Sequence, residues 1–143
     1  MDTSFHYMMM AVQSHFSRRI MDELGKLGLT TGQPKVIEYL SEHDGSVQKD
    51  IASGCCIDRA TLTGILSRME EKELITRRSE PGNRRSLHVY LTDKGKEYIP
   101  YIRDVFQKNE SCAFNGISAA ERAEFIVTLT KILKNFADTE ELQ

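Results

Sequence analysis

Four arginines fall between positions 77 and 85, Arg77, Arg78, Arg84 and Arg85, with a single acid, Glu80, among them. A guanidinium stays charged at any ordinary pH and presents a planar fork of donors to phosphate oxygens, so such a cluster suits a polyanion. Just upstream, the stretch from Asp58 to Arg68 holds Arg59, Thr61, Thr63, Ser67 and Arg68 between aliphatic residues at helical spacing. Short hydroxyls near a helix N-terminus suit phosphate or base-edge contacts, and arginine can address guanine. A charge run by itself is ordinarily solvated surface, so the meaning of these residues depends on the elements that carry them.

The other reactive groups point elsewhere. Cys55, Cys56 and Cys112 are odd in number, and the first two are adjacent, which disfavours a structural disulfide and fits a reduced compartment. Cys55 reads as a small core hydrophobe; a thiol switch next to the following helix is the alternative. His6, His15, His43 and His88 are scattered without metal-ligand spacing, and no phosphate loop, nucleophile motif or credible carboxylate pair is present. The expectation is a protein without enzymatic activity, metal or cofactor.

The elements around the cations form a helix-turn-helix followed by a hairpin. Phe5, Met9, Val12, Phe16, Ile20 and Leu24 lie on one face of a helix over residues 5 to about 26, ended by Gly25 and Gly28. A second helix is predicted from Gln33 to about Glu42, opened by Pro34, and a short one from Val47 to Ser53, broken by Gly54. Asp58 caps the next helix, whose buried side is Leu62, Ile65, Leu66 and Met69. Ile75 to Ser79 reads as a strand, Glu80-Pro81-Gly82-Asn83 as a type II turn, and Leu87, Val89 and Leu91 as the inward side of a second strand. Thr92 caps a long helix to about Ala113 with a kink at Pro100, and Ser118-Ala119-Ala120-Glu121 opens a last helix bearing Phe125, Leu129, Ile132, Leu133 and Phe136.

Size and charge bound the chain to one small globular domain. The 143 residues suffice for one domain, and 28% charged with 40% hydrophobic residues is ordinary for a packed core. No run approaches the roughly 20 apolar residues of a membrane span and no signal peptide opens the chain, so the expected location is the cytoplasm with no membrane partner. The net charge of −2 conceals an asymmetry: residues 55 to 96 hold nine Lys/Arg against six acids, and the flanks carry −5. A basic hairpin after a recognition-type helix predicts contact with double-stranded DNA, one helix entering the major groove and the hairpin following the backbone or minor groove. The apolar helices at both ends exceed what one small lobe can cover, which predicts a homodimer. Tyr7, Met8, Met9, Met10 and Phe16 read first as core and second as the wall of a ligand pocket.

These motifs resemble the MarR-type regulators. Leu29-Thr30-Thr31-Gly32-Gln33 looks like the opening of that family's second helix, Asp58-Arg59-Ala60-Thr61-Leu62-Thr63 like the start of its recognition helix, and Asn83-Arg84-Arg85 with Leu91-Thr92-Asp93-Lys94-Gly95 like its wing and post-wing signature. The resemblance runs from about residue 5 to 137. It implies a mainly α fold with a small β-hairpin wing: a winged helix-turn-helix lobe over about 30–92, and a helical dimerisation region from about 5–28 and 93–140, in one regulator domain over 1–143. It also implies an effector-responsive repressor that binds a pseudo-palindromic operator, the effector a small molecule. Arg85 matches the arginine that enters the minor groove, and Thr61, Thr63 and Arg68 fall on the recognition helix. Two positions depart from the pattern: Asn83 stands where an aspartate usually steadies the wing, and Gly64 where a larger residue is common. The competing readings are a winged helix that binds an acidic protein partner, and a redox enzyme using the vicinal cysteines.

Overall fold

A computed structural model describes residues 3–140, and the side chains of all of these except Asn83, Arg84 and 138–140. The chain forms two compact units, Met1–Asn109 and Glu110–Gln143. In the first, α1 (Phe5–Leu24) starts where the Ser4 hydroxyl accepts from the Tyr7 amide at 3.3 Å. Only its last turns are buried, through Ile20 and Leu24. The expected helix to residue 26 tightens after Leu24 into a 3₁₀ turn, Gly25–Leu27, before α2 (Gln33–Glu42) buries Val36, Ile37 and Leu40.

A two-residue strand, β1 (Ser46–Val47), precedes α3 (Gln48–Cys55), where the sequence suggests only helix. Two residues carry no readable alternation, and β1 exists because it pairs with a distant strand. Gly54 does not break α3. It lies inside the helix, where any Cβ would overlap the Tyr39 ring, and the break falls at Cys56, whose φ of 53° reverses the chain. The recognition-type helix α4 (Arg59–Glu71) buries Leu62, Ile65, Leu66 and Met69, as its spacing predicts. These four pack with Leu24, Ile37, Leu40, Ile51 and Ile102 in the core, each such side chain contributing roughly 2 kcal/mol by leaving water.

The hairpin β2 (Ile75–Glu80) and β3 (Asn83–Leu91) completes an antiparallel sheet ordered β1-β3-β2. Ile75 pairs with Leu91 and Arg77 with Val89, with an irregularity between Ser79 and Glu80. Gly82, at φ +88°, takes the conformation that the turn demands of its third residue. Val89 and Leu91 are buried, but Leu87 is 49% exposed: the hairpin extends past the core, and inward alternation has nothing to pack on there. Beyond it the expected single helix is two, α5 (Asp93–Glu97) and α6 (Ile99–Ala113). Pro100 sits in the first turn of α6, where its missing N–H costs no hydrogen bond, so the interruption is at Tyr98. Thr92 caps α5, accepting from the Gly95 amide at 3.0 Å.

The second unit holds the end of α6 and α7 (Ala119–Glu140). The capping box is present: the Ser118 hydroxyl accepts from the Glu121 amide at 3.1 Å, and the Glu121 carboxylate accepts from the Ser118 amide at 3.4 Å. Arg122 binds Glu110 at 2.9 Å and lies 4.3 Å from the Phe114 ring centroid, which holds the turn between the helices. On α7 Phe125, Ile126, Val127, Leu133 and Phe136 are all exposed. No helix among the described residues is long and apolar enough to cross a membrane.

Candidate nucleic-acid interface

The start of α4 is held by its own first residues. The Asp58 carboxylate caps the helix, accepting from the Thr61 amide at 2.9 Å and the Thr61 hydroxyl at 2.7 Å. The hydroxyl bond first, then the amide, hold its pKa below the usual carboxylate value. The capping contribution is therefore present above that usual value and fades as pH falls through the lowered one. Thr61 uses its hydroxyl proton on this cap. Two residues on, the Thr63 hydroxyl donates to the Arg59 carbonyl at 2.9 Å and accepts from Gln48 Nε2 at 2.6 Å. Arg59 is exposed and Ser67 half-buried.

Between α4 and the wing lies a cavity of about 460 Å³. Lys49, Arg59, Arg77 and Arg85 all line it, with Gln48, and among the described residues no carboxylate does. In a strand, alternate residues share a face, and Arg77, Arg85, Leu87 and Val89 belong to the face that meets this cavity. Arg77 is also paired with Glu70 at 3.1 Å. The intervening residues form the other face. There the Arg78 guanidinium lies 3.9 Å from the Tyr90 ring centroid, and the Tyr90 hydroxyl donates to the Glu80 carboxylate. His88 Nδ1 is 2.7 Å from the Gly45 carbonyl oxygen, tying the wing to the turn before β1. The Arg84 side chain lies outside the described residues.

The structure thus gathers Arg59, Arg77 and Arg85 and separates Arg78 from them. It also separates Arg68: with Thr61, Arg68 lines a second cavity of about 440 Å³ whose walls include Phe16, Ile20, Met21, Ile65 and Phe106. Lys49 and Gln48, which the sequence reading passes over, belong to the cationic cavity because α3 packs against α4 and β3. No local pattern announces that; only the position of α3 immediately before the recognition-type helix could have. Of the residues read first as core, Phe16 packs against the core, but Met8, Met9 and Met10 are 40–53% exposed, since nothing in the first unit covers the N-terminal half of α1. Cys55 is buried, and burial pushes its thiol up to about 11, leaving it uncharged and poorly nucleophilic at neutral pH. Among the described residues no group of three His, Cys, Asp or Glu could hold a metal ion.

Comparison with known proteins decides the family. Residues 29–87 match the family model described as the MarR family. The homoprotocatechuate degradative operon repressor of Escherichia coli is 35% identical over 108 residues, 76% of this chain and 70% of that protein. The chain belongs to the MarR family of transcriptional regulators. A second relative, the HTH-type transcriptional regulator YkoM of Bacillus subtilis, is 29% identical over 96 residues, 67% of this chain and 62% of that protein, under two thirds of its length. Among solved structures, the transcriptional regulator SlyA superposes with a TM-score of 0.88 at 26% identity, covering 99% of each chain. This MarR-family regulator therefore has the mostly helical, winged helix-turn-helix fold expected from its motifs, and the relatives named are regulators rather than enzymes.

Proposed function

We propose that this MarR-family regulator binds a pseudo-palindromic operator as a homodimer and represses transcription in the cytoplasm until a small molecule releases it. The observation that carries the reading is the carboxylate-free cavity between α4 and the wing, with Lys49, Arg59, Arg77 and Arg85 on its walls. A duplex brings a high density of phosphates, and cations gathered on a surface that no carboxylate lines are what its neutralisation requires. In this reading the lobe over about 30–92 contacts DNA, with Arg85 and Arg84 of the wing at the backbone and minor groove. Arg59, Thr63 and Ser67 face the major groove from α4, and Arg77 and Lys49 neutralise phosphates.

The exposed apolar residues of the N-terminal half of α1 and of α7 support the dimer, because clustered large apolar side chains left in water usually mark an interface. The second cavity supports an effector. Its walls are largely apolar and, among the described residues, Lys35 and Arg68 are the charged ones on them, which suits an apolar anion, and Thr61 and Arg68 connect it to α4. The relative from E. coli is named as repressor of a homoprotocatechuate degradative operon, which agrees with a repressor role here.

The test is selection of bound duplexes from a random-sequence pool by the purified protein, with its solution mass measured in parallel. The expected result is one pseudo-palindrome, with half-sites about one helical turn apart, held by a dimer. A monomer, or no enrichment at moderate salt, would overturn the reading in favour of a winged helix that binds a protein partner.

A further inference from the structure

The hydrogen bonds between α3 and α4 carry an inference about which base edge is read; it rests on the DNA-binding reading above. Thr63 donates its only hydroxyl proton to the Arg59 carbonyl at 2.9 Å. Its oxygen can then only accept from Gln48, and this fixes the amino end of the Gln48 amide toward Thr63, at 2.6 Å. The second N–H of that amino group faces the Arg59 carbonyl at 3.5 Å. The donors of both side chains are therefore turned toward the protein. What remains is acceptor capacity: the Gln48 carbonyl oxygen and one lone pair of Thr63. Gln48 lines the cationic cavity at the front of α4, beside Lys49 and Arg59.

We propose that Gln48 and Thr63 act as one acceptor-only reading pair, selecting at a single base pair of each half-site which strand carries the base with the amino group in the major groove. In that groove the amino groups are N6 of adenine and N4 of cytosine, whereas guanine and thymine present acceptors at the equivalent positions. An acceptor pair facing guanine O6 or thymine O4 leaves both sides unpaired. Gln48 also sets the geometry. A threonine in a helix divides between two rotamers because its hydroxyl can bond back to the preceding turn, and the Gln48 amide holds the back-bonded one.

The test repeats the duplex selection with Gln48→Met, which keeps side-chain length without polar atoms, with Thr63→Val, which keeps shape without the hydroxyl, and with both together. Each single variant is expected to lower the preference for adenine or cytosine at one shared position by about tenfold and leave the rest of the site unchanged. The double variant should lose no more than either single one, since each breaks the same unit. Thermal unfolding of each variant confirms the fold, and Arg85→Ala is the control, expected to weaken every sequence alike. The proposal is overturned if Gln48→Met leaves the base preferences unchanged, if the two variants relax different positions, or if the shared position accepts A·T and T·A, or C·G and G·C, alike. Any of these leaves the DNA-binding reading intact, whereas failure of the unaltered protein to select any sequence defeats both.

Discussion

On one face of the wing Arg77 and Arg85 look into the carboxylate-free cavity beside α4, while on the other Arg78 lies 3.9 Å from the centroid of Tyr90, whose hydroxyl reaches Glu80. Arg77 and Arg78 are neighbours in sequence and identical in chemistry. The two-residue period of the strand separates them. One face offers Arg85 to an outside anion and shares Arg77 with Glu70; the other spends its cation on an aromatic ring whose hydroxyl reaches an acid of the same strand pair. A count of arginines along the hairpin therefore overstates the charge available to DNA, and underestimates how the wing is fastened to the lobe.

The comparison would break most visibly at Arg85. Arg85→Ala removes two cations per dimer, each charge-assisted phosphate contact being worth about 1.5 kcal/mol, so operator affinity should fall roughly 100-fold. The slope of log affinity against log salt should flatten by about 2. Titration of labelled operator across a salt series measures both. If Arg78→Ala produced the same loss and the same flattening, the two faces would be equivalent and the distinction drawn from the sheet would be wrong.

Arg77 sharpens the contrast because it lines the cavity yet already has a partner, Glu70, at 3.1 Å. Its loss is expected to weaken binding by about tenfold, less than Arg85, since the ion pair must be given up before a phosphate is engaged. Glu70→Gln removes that competition and should strengthen binding by no more than about fivefold, the upper range of an exposed ion pair. Weaker binding by Glu70→Gln would mean that Glu70 holds Arg77 in its DNA-facing position rather than competing for it.

Much of this arrangement is legible in the sequence, and the exceptions share a cause. The helix faces through Leu62, Ile65, Leu66 and Met69, the Asp58 and Thr92 caps and the turn at Gly82 follow from local rules, because each depends on neighbours within a few residues. The pairing of β1, the tolerance of Gly54 inside α3 and the membership of Lys49 and Gln48 in the cationic cavity depend on Val89, Tyr39 and the wing, all distant in sequence. The exposure of Leu87 is of the same kind: alternation correctly gives its face, but not whether anything covers that face. Among the candidate site residues, Arg59, Arg77 and Arg85 come together as a charge cluster suggests, while Arg68 and Arg78 have local surroundings that no charge count contains.

The smallest effect on binding belongs to Arg78. Its guanidinium over Tyr90 is a partly exposed cation-π contact, worth about 0.5–1 kcal/mol, so Arg78→Ala should lower unfolding free energy by that amount in urea. Operator affinity should change less than about twofold, the residual coming from long-range charge that salt screens. Tyr90→Phe separates the two bonds of this face. It keeps the ring beneath Arg78 and removes only the hydroxyl that reaches Glu80, at a cost near 1 kcal/mol for a hydrogen bond. If the face serves to fasten the wing, both variants lose stability and neither alters the salt slope of operator binding. A flattened slope in Arg78→Ala alone would show that Arg78 leaves Tyr90 for a phosphate when DNA arrives, and the face that looks structural in the free protein would then belong to the interface.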